Sequence, residues 1–470
     1  IVIGANRREY LSMSRHNTAA AAQSPVFYRS PAQAYPLAVR ASGVHIEDAK
    51  GRKYLDMSGG AAVSCVGHAH PEVIAAIKRQ VETLPFAHTT FFTNQAQEEL
   101  AEIIVSRFRD PGARAYFVAG GSEANETAMK LAWQYWAARG EETKKIIISR
   151  EHSYHGNTFG ALSVSGNAGR RKASAAPLLD WPRISPCYEY RCRQTGESQS
   201  EYGARVAAEL QTAIRKAGKD NVAAFIAEPI VGSSLGVVGA VPGYFNRIRQ
   251  ICDENEVLLI ADEIMCGSGR TGSFFAHQNE GFVPDITTVA KGIGGGYMPL
   301  GAVVIAEHIA SCLAGAGFAH GHTYVGHAAA CAAGVAVQRV IERDNLLART
   351  RRLGENLMSL LQDALGEHPL VGDIRGRGLF AAVEFVSDKG SKAGFENRPG
   401  LADELRLAAM DQGLICYPGS IAIDQRCVPH VMLAPPMIAT EEQLADGVKR
   451  LRAAVGRVLC VSGERRTIKK

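Results

Sequence analysis

The 470-residue sequence lacks any uninterrupted apolar stretch of about 20 residues, the length that a membrane-spanning helix requires. It also lacks a strong charge bias, with 52 Lys and Arg against 47 Asp and Glu, so the basic surface typical of nucleic-acid binding is not indicated. Charged residues make up 21% and hydrophobic residues 46%, a balance typical of folded globular chains. The sequence therefore predicts neither a membrane protein nor a nucleic-acid-binding protein.

Paired cysteines are missing as well. The ten cysteines include no C-x-x-C, and Cys187 and Cys192 have neither a second pair nor a histidine at zinc spacing. Histidine pairs such as His68 and His70 lack a convergent third ligand, so no metal site is predicted. Scattered single cysteines favour a reducing, cytoplasmic location. The Arg- and Ala-rich residues 1–25 leave an organelle transit peptide as the alternative.

Two common nucleotide-binding motifs are absent. The glycines at 120–121 are followed by Ser-Glu and not by Gly-Lys-Ser/Thr, so they form no Walker A loop. The glycine-rich run at 292–296 does not have G-x-G-x-x-G spacing, which argues against a nicotinamide-dependent enzyme.

Short apolar runs alternate with helical patterns through the middle of the chain. Continuous runs of this kind are typical of strands buried on both faces of a mostly parallel sheet, with helices such as 122–139 and 242–255 as crossovers. Residues 165–202, rich in Ser, Arg, Gly and Pro, are predicted to form a long irregular segment. The predicted strands are 115–119, 146–149, 223–227, 257–261, 286–290 and 300–306.

The two ends of the chain carry different patterns. Residues 44–58 predict a hairpin with its turn at Lys50-Gly51. The C-terminal region predicts an α+β unit whose last helix, 441–459, begins with a capping box from Thr440 to Gln443. We predict four parts: a flexible or vector-derived N-terminus (1–24), a segment contributing to the small domain (25–70), a large domain (71–335) and a C-terminal small domain (336–470).

Four features that can carry chemistry follow the predicted strands. At Gly121 and Ser122 a strand passes through glycines into a helix, where free N–H groups and the helix dipole could bind a phosphate. The ring of Tyr154, which follows strand 146–149, could stack on a flat heterocycle. Asp262 ends one strand, and Lys291 ends the next, 29 residues later.

Each feature has an ordinary explanation when it stands alone: a capped helix, an aromatic loop, a loop acid and a surface lysine. Together on one parallel sheet they predict a site for pyridoxal phosphate. A lysine with a lowered pKa can form the Schiff base to the cofactor, as Lys291 would. Asp262 would keep the pyridine nitrogen protonated, which lets the ring accept electrons.

The sequence resembles the class III (omega, or subgroup II) aminotransferases, which are fold-type I pyridoxal-phosphate enzymes, from about residue 25 to 460. The resemblance implies a large domain with a mostly parallel mixed sheet flanked by helices, plus a smaller α+β domain. The motifs that carry it are GGSEANE (120–126), YHG (154–156), AEP (227–229), LLIADEIMCGSGRTG (258–272), PDITTVAKGIGGGYMPLGA (284–302) and HTYVGHAAACAAG (322–334).

The resemblance also implies roles for individual residues. Gly121 and Ser122 would bind the cofactor phosphate, and Thr323 would reach the phosphate of the neighbouring subunit's cofactor. This sharing implies an obligate homodimer, with a tetramer left open. Lys291 would be both the Schiff-base residue and the proton shuttle. The other implied cofactor residues are Tyr154 and Ile264 on the two ring faces, Asp262 at the pyridine nitrogen, His155, and Glu228 as an acid behind the site.

The sequence departs from the family pattern a few residues after Asp262. Met265 and Cys266 occupy positions where the family usually has Gln and Thr. The cofactor chemistry does not depend on these side chains, but the local hydrogen bonding becomes uncertain.

The implied activity is ping-pong transamination from an amine or omega-amino acid to a keto acid. Met432 stands where acetylornithine-type members carry an arginine, so the sequence is nearer the omega-amino acid and amine–pyruvate branch, which predicts pyruvate as acceptor. Arg426 is the candidate for holding a substrate carboxylate, with a solvated loop arginine as the alternative. Phe91 and Phe92 are predicted to line the pocket, within one chain or across the dimer interface, with core packing as the alternative.

Several readings stay open at this point. The acceptor could be 2-oxoglutarate, and a racemase, aminomutase or decarboxylase could share the fold and the cofactor. A cofactor-binding scaffold without activity is disfavoured by the intact Lys291 and Asp262.

Overall fold

A computed structural model describes residues 24–30, 33–423 and 425–459. The N-terminal part expected to be flexible, 1–24, lies outside the described residues except for its last position. The strands are β1 (Ala38–Ser42), β2 (His45–Asp48), β3 (Lys53–Asp56), β4 (Arg114–Val118), β5 (Ile146–Arg150), β6 (Arg183–Ile184), β7 (Val222–Ala227), β8 (Ile230–Val231), β9 (Val238–Gly239), β10 (Leu258–Asp262), β11 (Ile286–Val289), β12 (Gly301–Ile305), β13 (Val371–Gly376), β14 (Ala381–Phe385), β15 (Leu414–Ile415), β16 (Tyr417–Ile423) and β17 (Arg426–Leu433).

The helices connect and cover these strands. Two short 3-10 helices, Lys219–Asn221 and Lys291–Ile293, precede β7 and follow β11. The α-helices are α1 (Gly59–Ala62), α2 (Pro71–Thr83), α3 (Gln95–Val105), α4 (Gly121–Ala138), α5 (Phe159–Ser163), α6 (Ala168–Lys172), α7 (Glu189–Cys192), α8 (Gln199–Ala217), α9 (Tyr244–Glu254), α10 (His277–Glu280), α11 (Glu307–Ala314), α12 (Ala328–Arg343), α13 (Leu346–Leu365), α14 (Leu401–Asp411) and α15 (Glu441–Val458).

The central sheet has seven strands in the order β4-β12-β11-β10-β7-β5-β6. β7, β10 and β11 run parallel, as do β5 and β6 beside them, whereas β12 is antiparallel to both of its neighbours. Every residue of β7 and β10 is buried, which explains why these strands read as continuous apolar runs. The predicted mostly parallel α/β sheet is confirmed.

Helices cover both faces of this sheet. Successive residues of a strand point to opposite faces, so Phe225 joins the hydrophobic cluster of α8 and α9 while Ile226 joins that of α4 and α11. On β10, Leu259 likewise joins the cluster of α8 and α9, and Ile260 joins that of α4 and α11. The two clusters fix the central strands from both sides and so fix the positions at which those strands end.

Two smaller sheets bring the ends of the chain together. β15 pairs in parallel with β3, so the N-terminal strands share a sheet with residues 414–415. The order of the other sheet is β13-β14-β17-β16, and all of its pairs are antiparallel. Leu55 from β3 and Leu451 from α15 belong to one hydrophobic cluster. This packing suits the assignment of 25–70 to the C-terminal unit, although the domain boundaries stay predictions.

The expectation of one long irregular segment over 165–202 is wrong in part. The segment contains α6, β6, α7 and the start of α8. β6 is two residues long, so its pairing with β5 leaves no periodicity in the sequence. The start of α8 did leave a signal, because Ser198 and Glu201 form a capping box that the composition of the segment obscures.

In the described part of the chain, no helix combines the length and the hydropathy that crossing a bilayer demands.

Candidate active site

A cavity of about 560 Å³ opens where the central strands end. The carboxyl ends of parallel strands meet at one edge of a sheet, where α/β proteins place their ligands. Eight sequence-predicted residues line this cavity. They are Gly121, Ser122, Tyr154, His155, Glu228, Asp262, Ile264 and Lys291.

Asp262 is held in one orientation by three hydrogen bonds. Its Oδ2 accepts from Asn125 Nδ2 at 2.8 Å and contacts His155 Nδ1 at 2.7 Å, and its Oδ1 accepts from the Ile264 amide at 3.0 Å. The side chain is nearly inaccessible to solvent, with 3% of the residue exposed. A buried carboxylate held in this way can stabilise a positive charge placed opposite it in the cavity.

Asn125 and Thr288 support this carboxylate, and sequence reasoning assigned them no role. Thr288 Oγ1 donates to Asn125 Oδ1 at 2.9 Å, so β11 fixes the amide that bonds Asp262. Both residues are fully buried. One sequence feature could have predicted the role of Asn125: it is a polar residue within the GGSEANE motif, on the side of α4 that faces the sheet.

Lys291 begins a 3-10 helix with a backbone φ of +49°, a region that side-chain-bearing residues seldom adopt. Burial lowers the pKa of its amine; the negative charge of Asp262 opposes this shift, and the positive charge of Arg170 adds to it. A lowered pKa leaves more of the amine neutral at physiological pH, and the neutral amine is the nucleophile. A strained, partly desolvated lysine beside a fixed carboxylate is typical of a reactive site.

An anion-binding position lies at the start of α4. Its N-cap, Gly120, provides no side-chain cap, and in the described part of the chain the Gly121 and Ser122 amides have no hydrogen-bond partner. Ser122 Oγ accepts from the Asn157 amide at 3.0 Å. A Cβ at Gly121 would lie 2.9 Å from Ile264 Cδ1, so a side chain at this position would have to displace the Ile264 side chain. Free amides at a helix N-terminus suit a phosphate.

Glu228 connects the loop after β5 to the turn after β7. Its carboxyl accepts from the Tyr154 amide at 3.1 Å and from the Gly232 amide at 3.0 Å. Burial raises the pKa of this carboxyl above its ordinary value. Glu228 therefore positions Tyr154, whose ring lines the cavity with the Arg170 guanidinium carbon 4.3 Å from its centroid.

Glu263 accounts for the hydrogen bonding around the unusual Met265 and Cys266. The buried carboxylate of Glu263 accepts from the Ala276 and His277 amides, each at 2.7 Å. Cys266 Sγ lies 3.5 Å from the same carboxylate, and Met265 lines the cavity. The local network is thus complete without the usual Gln and Thr.

Four predicted residues do not line the cavity of this chain. Thr323 is exposed in the loop between α11 and α12. Phe91 and Phe92 are 76% and 66% exposed, so packing of their side chains in the core of this chain is excluded. Arg426 begins β17 and pairs with Glu396 at 2.5 Å. One chain therefore contains the buried chemistry but leaves these four residues at its surface.

Comparison with known proteins places this cavity in context. The sequence model of the family described as Aminotransferase class-III matches residues 28–455. An uncharacterised aminotransferase of Schizosaccharomyces pombe is 41% identical over 92% of this chain and 94% of its own length.

Two relatives carry more specific names, and each is 34% identical to this chain. They are a putrescine–pyruvate aminotransferase of Pseudomonas aeruginosa, with 87% of each chain covered, and a diaminobutyrate–2-oxoglutarate transaminase of Halomonas elongata, with 88% of this chain and 89% of the relative covered. Among solved structures, the Pseudomonas jessenii omega transaminase in complex with PMP has a TM-score of 0.87 and 31% identity, covering 94% of this chain and 98% of its own.

Proposed function

The chain belongs to the class III aminotransferases, and we propose that its donor is an amine or omega-amino acid and its acceptor pyruvate. The family depends on pyridoxal phosphate and performs transamination, so reaction type and cofactor follow from membership. The identity of the two substrates goes beyond membership and rests on the residues discussed below.

The residues of the cavity fit this cofactor. The unpartnered amides of Gly121 and Ser122 suit its phosphate, and the buried carboxylate of Asp262 suits its protonated ring nitrogen. Tyr154 and Ile264 line the cavity as flat or branched apolar surfaces that can contact a planar ring. Lys291 would supply the amine that holds the cofactor.

When bound, pyridoxal phosphate supplies an electron sink for the charge that develops at the substrate Cα. Asp262 stabilises the positive ring nitrogen on which that sink depends, and Asn125 and His155 keep the carboxylate oriented. Lys291 Nζ would take and return a proton beside the bound cofactor, because its lowered pKa raises the neutral fraction of the amine. Gly121 and Ser122 fix the distant end of the cofactor.

The observation that supports the acceptor class is the burial of Met432. Its side chain is fully buried in a hydrophobic cluster with Phe380, on the strand where acetylornithine-type members carry a carboxylate-binding arginine. Without a cation at this position of the strand, the second carboxylate of a dicarboxylate has no partner there, which favours a short keto acid such as pyruvate. The diaminobutyrate relative, named for 2-oxoglutarate, is equally similar, so 2-oxoglutarate is the alternative to be tested.

We propose that Arg426 can also bind a substrate carboxylate, but only after its ion pair with Glu396 has broken. It must leave Glu396, to which it is paired near the surface, before it can reach a substrate. An exposed pair of this kind contributes at most about 1 kcal/mol, so breaking it costs little.

We also propose a homodimer with shared active sites. Phe86, Phe91, Phe92 and Tyr324 present exposed aromatic rings, and Phe86 packs edge-on against Tyr324 at 5.9 Å between centroids. Exposed aromatic groups concentrated in this way are typical of protein interfaces. Thr323 lies beside Tyr324 in sequence, so covering this surface with a second copy would carry Thr323 toward the partner's site.

For location, we propose the cytoplasm. The nine cysteines in the described residues are all free thiols, which suits a reducing compartment.

The test is the visible absorbance of the purified holoenzyme during reaction with a monoamine, a diamine and an omega-amino acid, first without any keto acid. Loss of the cofactor band with one donor, and its return with pyruvate but not with 2-oxoglutarate, is the expected result. Return with 2-oxoglutarate alone would reverse the acceptor assignment. A band that no donor bleaches would favour a racemase or decarboxylase, identified by an inverted amino acid or carbon dioxide.

A further inference from the structure

The cavity contains a cation that neither the sequence motifs nor the proposed function employs. Three cationic side chains line it: Lys291, Arg29 and Arg170. Lys291 is the reactive amine, and Arg29 is exposed on the segment before β1. Arg170 is only partly exposed and comes from α6, within the region that sequence reasoning expected to be irregular.

Arg170 is held in place from two sides. Its guanidinium carbon lies 4.3 Å from the centroid of the Tyr154 ring, a distance typical of a cation–π contact. The next residue, Arg171, donates to the carbonyls of Leu162 at 2.9 Å and Ser163 at 2.7 Å, which fastens α6 to the end of α5. A guanidinium fixed in this way loses little further freedom when it binds a ligand.

The charge of Arg170 has no carboxylate partner among the described residues. The two carboxyl groups that line the cavity are engaged elsewhere: Asp262 with Asn125 and His155, and Glu228 with backbone amides. A permanently charged planar group that lines a cavity without an acid beside it is suited to an anionic ligand.

We propose that Arg170 binds the carboxylate of the keto acid acceptor and of an amino acid donor, and thereby favours substrates that carry a carboxylate over amines that carry none. This inference rests on the proposed transaminase function and names its specificity-determining residue. It differs from the assignment to Arg426, because Arg170 already lines the cavity whereas Arg426 is paired outside it.

The other anion available is the cofactor phosphate, which carries the same oxygen chemistry. Two observations favour the substrate. The start of α4 already offers unpartnered amides for a phosphate. Arg170 and Lys291 line the same cavity, and the positive charge of Arg170 contributes to the lowered pKa of the amine at which substrate would react.

The experiment compares Arg170→Gln with Arg170→Lys and with Lys172→Gln in the holoenzyme. Lys172 lies on the same short helix, is exposed and does not line the cavity, so its substitution removes one charge without touching the site. Steady-state kinetics measure kcat/KM for the keto acid, and stopped-flow absorbance measures the half-reaction with a monoamine that carries no carboxylate.

For Arg170→Gln we expect kcat/KM for the keto acid to fall roughly tenfold to a hundredfold through KM, because a charge-assisted hydrogen bond is lost. The half-reaction with the monoamine should change less than about twofold, Arg170→Lys should recover part of the loss, and Lys172→Gln should behave as wild type.

Three results would overturn the inference. One is an unchanged KM for the keto acid in Arg170→Gln. Another is an equal loss with the keto acid and with the monoamine that carries no carboxylate. The third is a parallel fall in pyridoxal phosphate affinity, measured by equilibrium dialysis, which would assign Arg170 to the cofactor phosphate. Failure of the wild-type enzyme to transaminate any donor would be a different outcome, because it would reject the proposed function itself.

Discussion

The inner end of the cavity and its mouth are built in opposite ways. At the inner end, Asp262 is 3% exposed and receives three hydrogen bonds from α4, the loop after β5 and its own turn. The proposed mouth consists of residues that do not line the cavity of one chain: Phe91 and Phe92 are largely exposed, and Arg426 pairs with a neighbouring glutamate. The chemistry shared by the family is rigid within one chain, whereas the surfaces that would select substrates are open and incomplete.

This difference follows from what each end must do. A reacting cofactor needs fixed charges and excluded water, which a strand end buried on both faces provides. Substrates must enter and leave, and in the homodimer that we propose the second subunit would complete the mouth of the site. Substitutions at the inner end should therefore abolish the chemistry, while substitutions at the mouth should change which molecules react.

The strongest test of the inner end is Lys291→Ala. Loss of both the nucleophile and the proton-transferring group should lower kcat by at least about 10⁴-fold. Pyridoxal phosphate should still bind, because the amides at the start of α4 are untouched. Turnover is measured by keto acid formation and cofactor binding by equilibrium dialysis. Activity above about 1% of wild type would show that the reactive amine lies elsewhere.

The second test, Asp262→Asn, keeps the shape of the side chain and removes its charge. We expect kcat to fall about 100- to 1000-fold, because a preorganised charge of this kind contributes that much to transition-state stabilisation. Exposed Asp253 on α9 provides the control, since Asp253→Asn removes a carboxylate far from the strand ends and should leave kcat unchanged. A loss of less than about tenfold in Asp262→Asn would mean that shape and hydrogen bonding matter more than charge at this position.

The sequence predicted the inner end of the cavity much better than its mouth, for a physical reason. Buried parallel strands impose continuous apolar runs, so the ends of β10 and β11, and with them Asp262 and Lys291, could be located by pattern alone. Asn125 and Thr288 were missed because a buried polar pair on different elements leaves no local spacing.

The residues of the mouth are harder to predict from the sequence. α6 is five residues long and lies in a stretch whose composition resembles a loop, so the sequence did not predict Arg170 as a residue of the cavity. Whether Phe91, Phe92 and Thr323 approach a second cavity depends on a partner chain, and no periodicity within one chain encodes that contact. Two-residue strands such as β6 and β9 are missed for the related reason that they depend on pairing with distant residues.

The third prediction concerns the shared mouth and uses Thr323→Ala. If Thr323 bonds the phosphate of the neighbouring cofactor, its loss should weaken pyridoxal phosphate affinity about tenfold, the value of one charge-assisted hydrogen bond. Thr323→Ser retains the hydroxyl and should retain affinity. Both variants are measured by equilibrium dialysis of the apoenzyme.

Mixed dimers of Lys291→Ala and Thr323→Ala subunits decide whether that hydroxyl acts across the interface. One site in such a dimer would combine an intact Lys291 with an intact Thr323 from the partner, and its cofactor affinity should equal that of wild type. If Thr323 acts within its own chain, the only site that keeps Lys291 lacks its Thr323 hydroxyl, and turnover of the mixed dimer then requires about tenfold more pyridoxal phosphate than turnover of wild type.

The smallest effect is expected at Thr440, where a substitution should lower stability and leave activity unchanged. Thr440 caps α15: its side chain accepts from the Gln443 amide at 3.2 Å, while the Gln443 side chain accepts from the Thr440 amide at 2.9 Å. Thr440→Ala should lower the free energy of unfolding by about 1 kcal/mol through loss of this cap, whereas Thr440→Ser should preserve it. Because neither cap residue lines the cavity, kcat should stay within about twofold of wild type, with stability followed by thermal denaturation of the holoenzyme. A large loss of activity would mean that the C-terminal unit transmits strain to the cavity. Activity would then depend on this unit as well as on the inner end and the mouth.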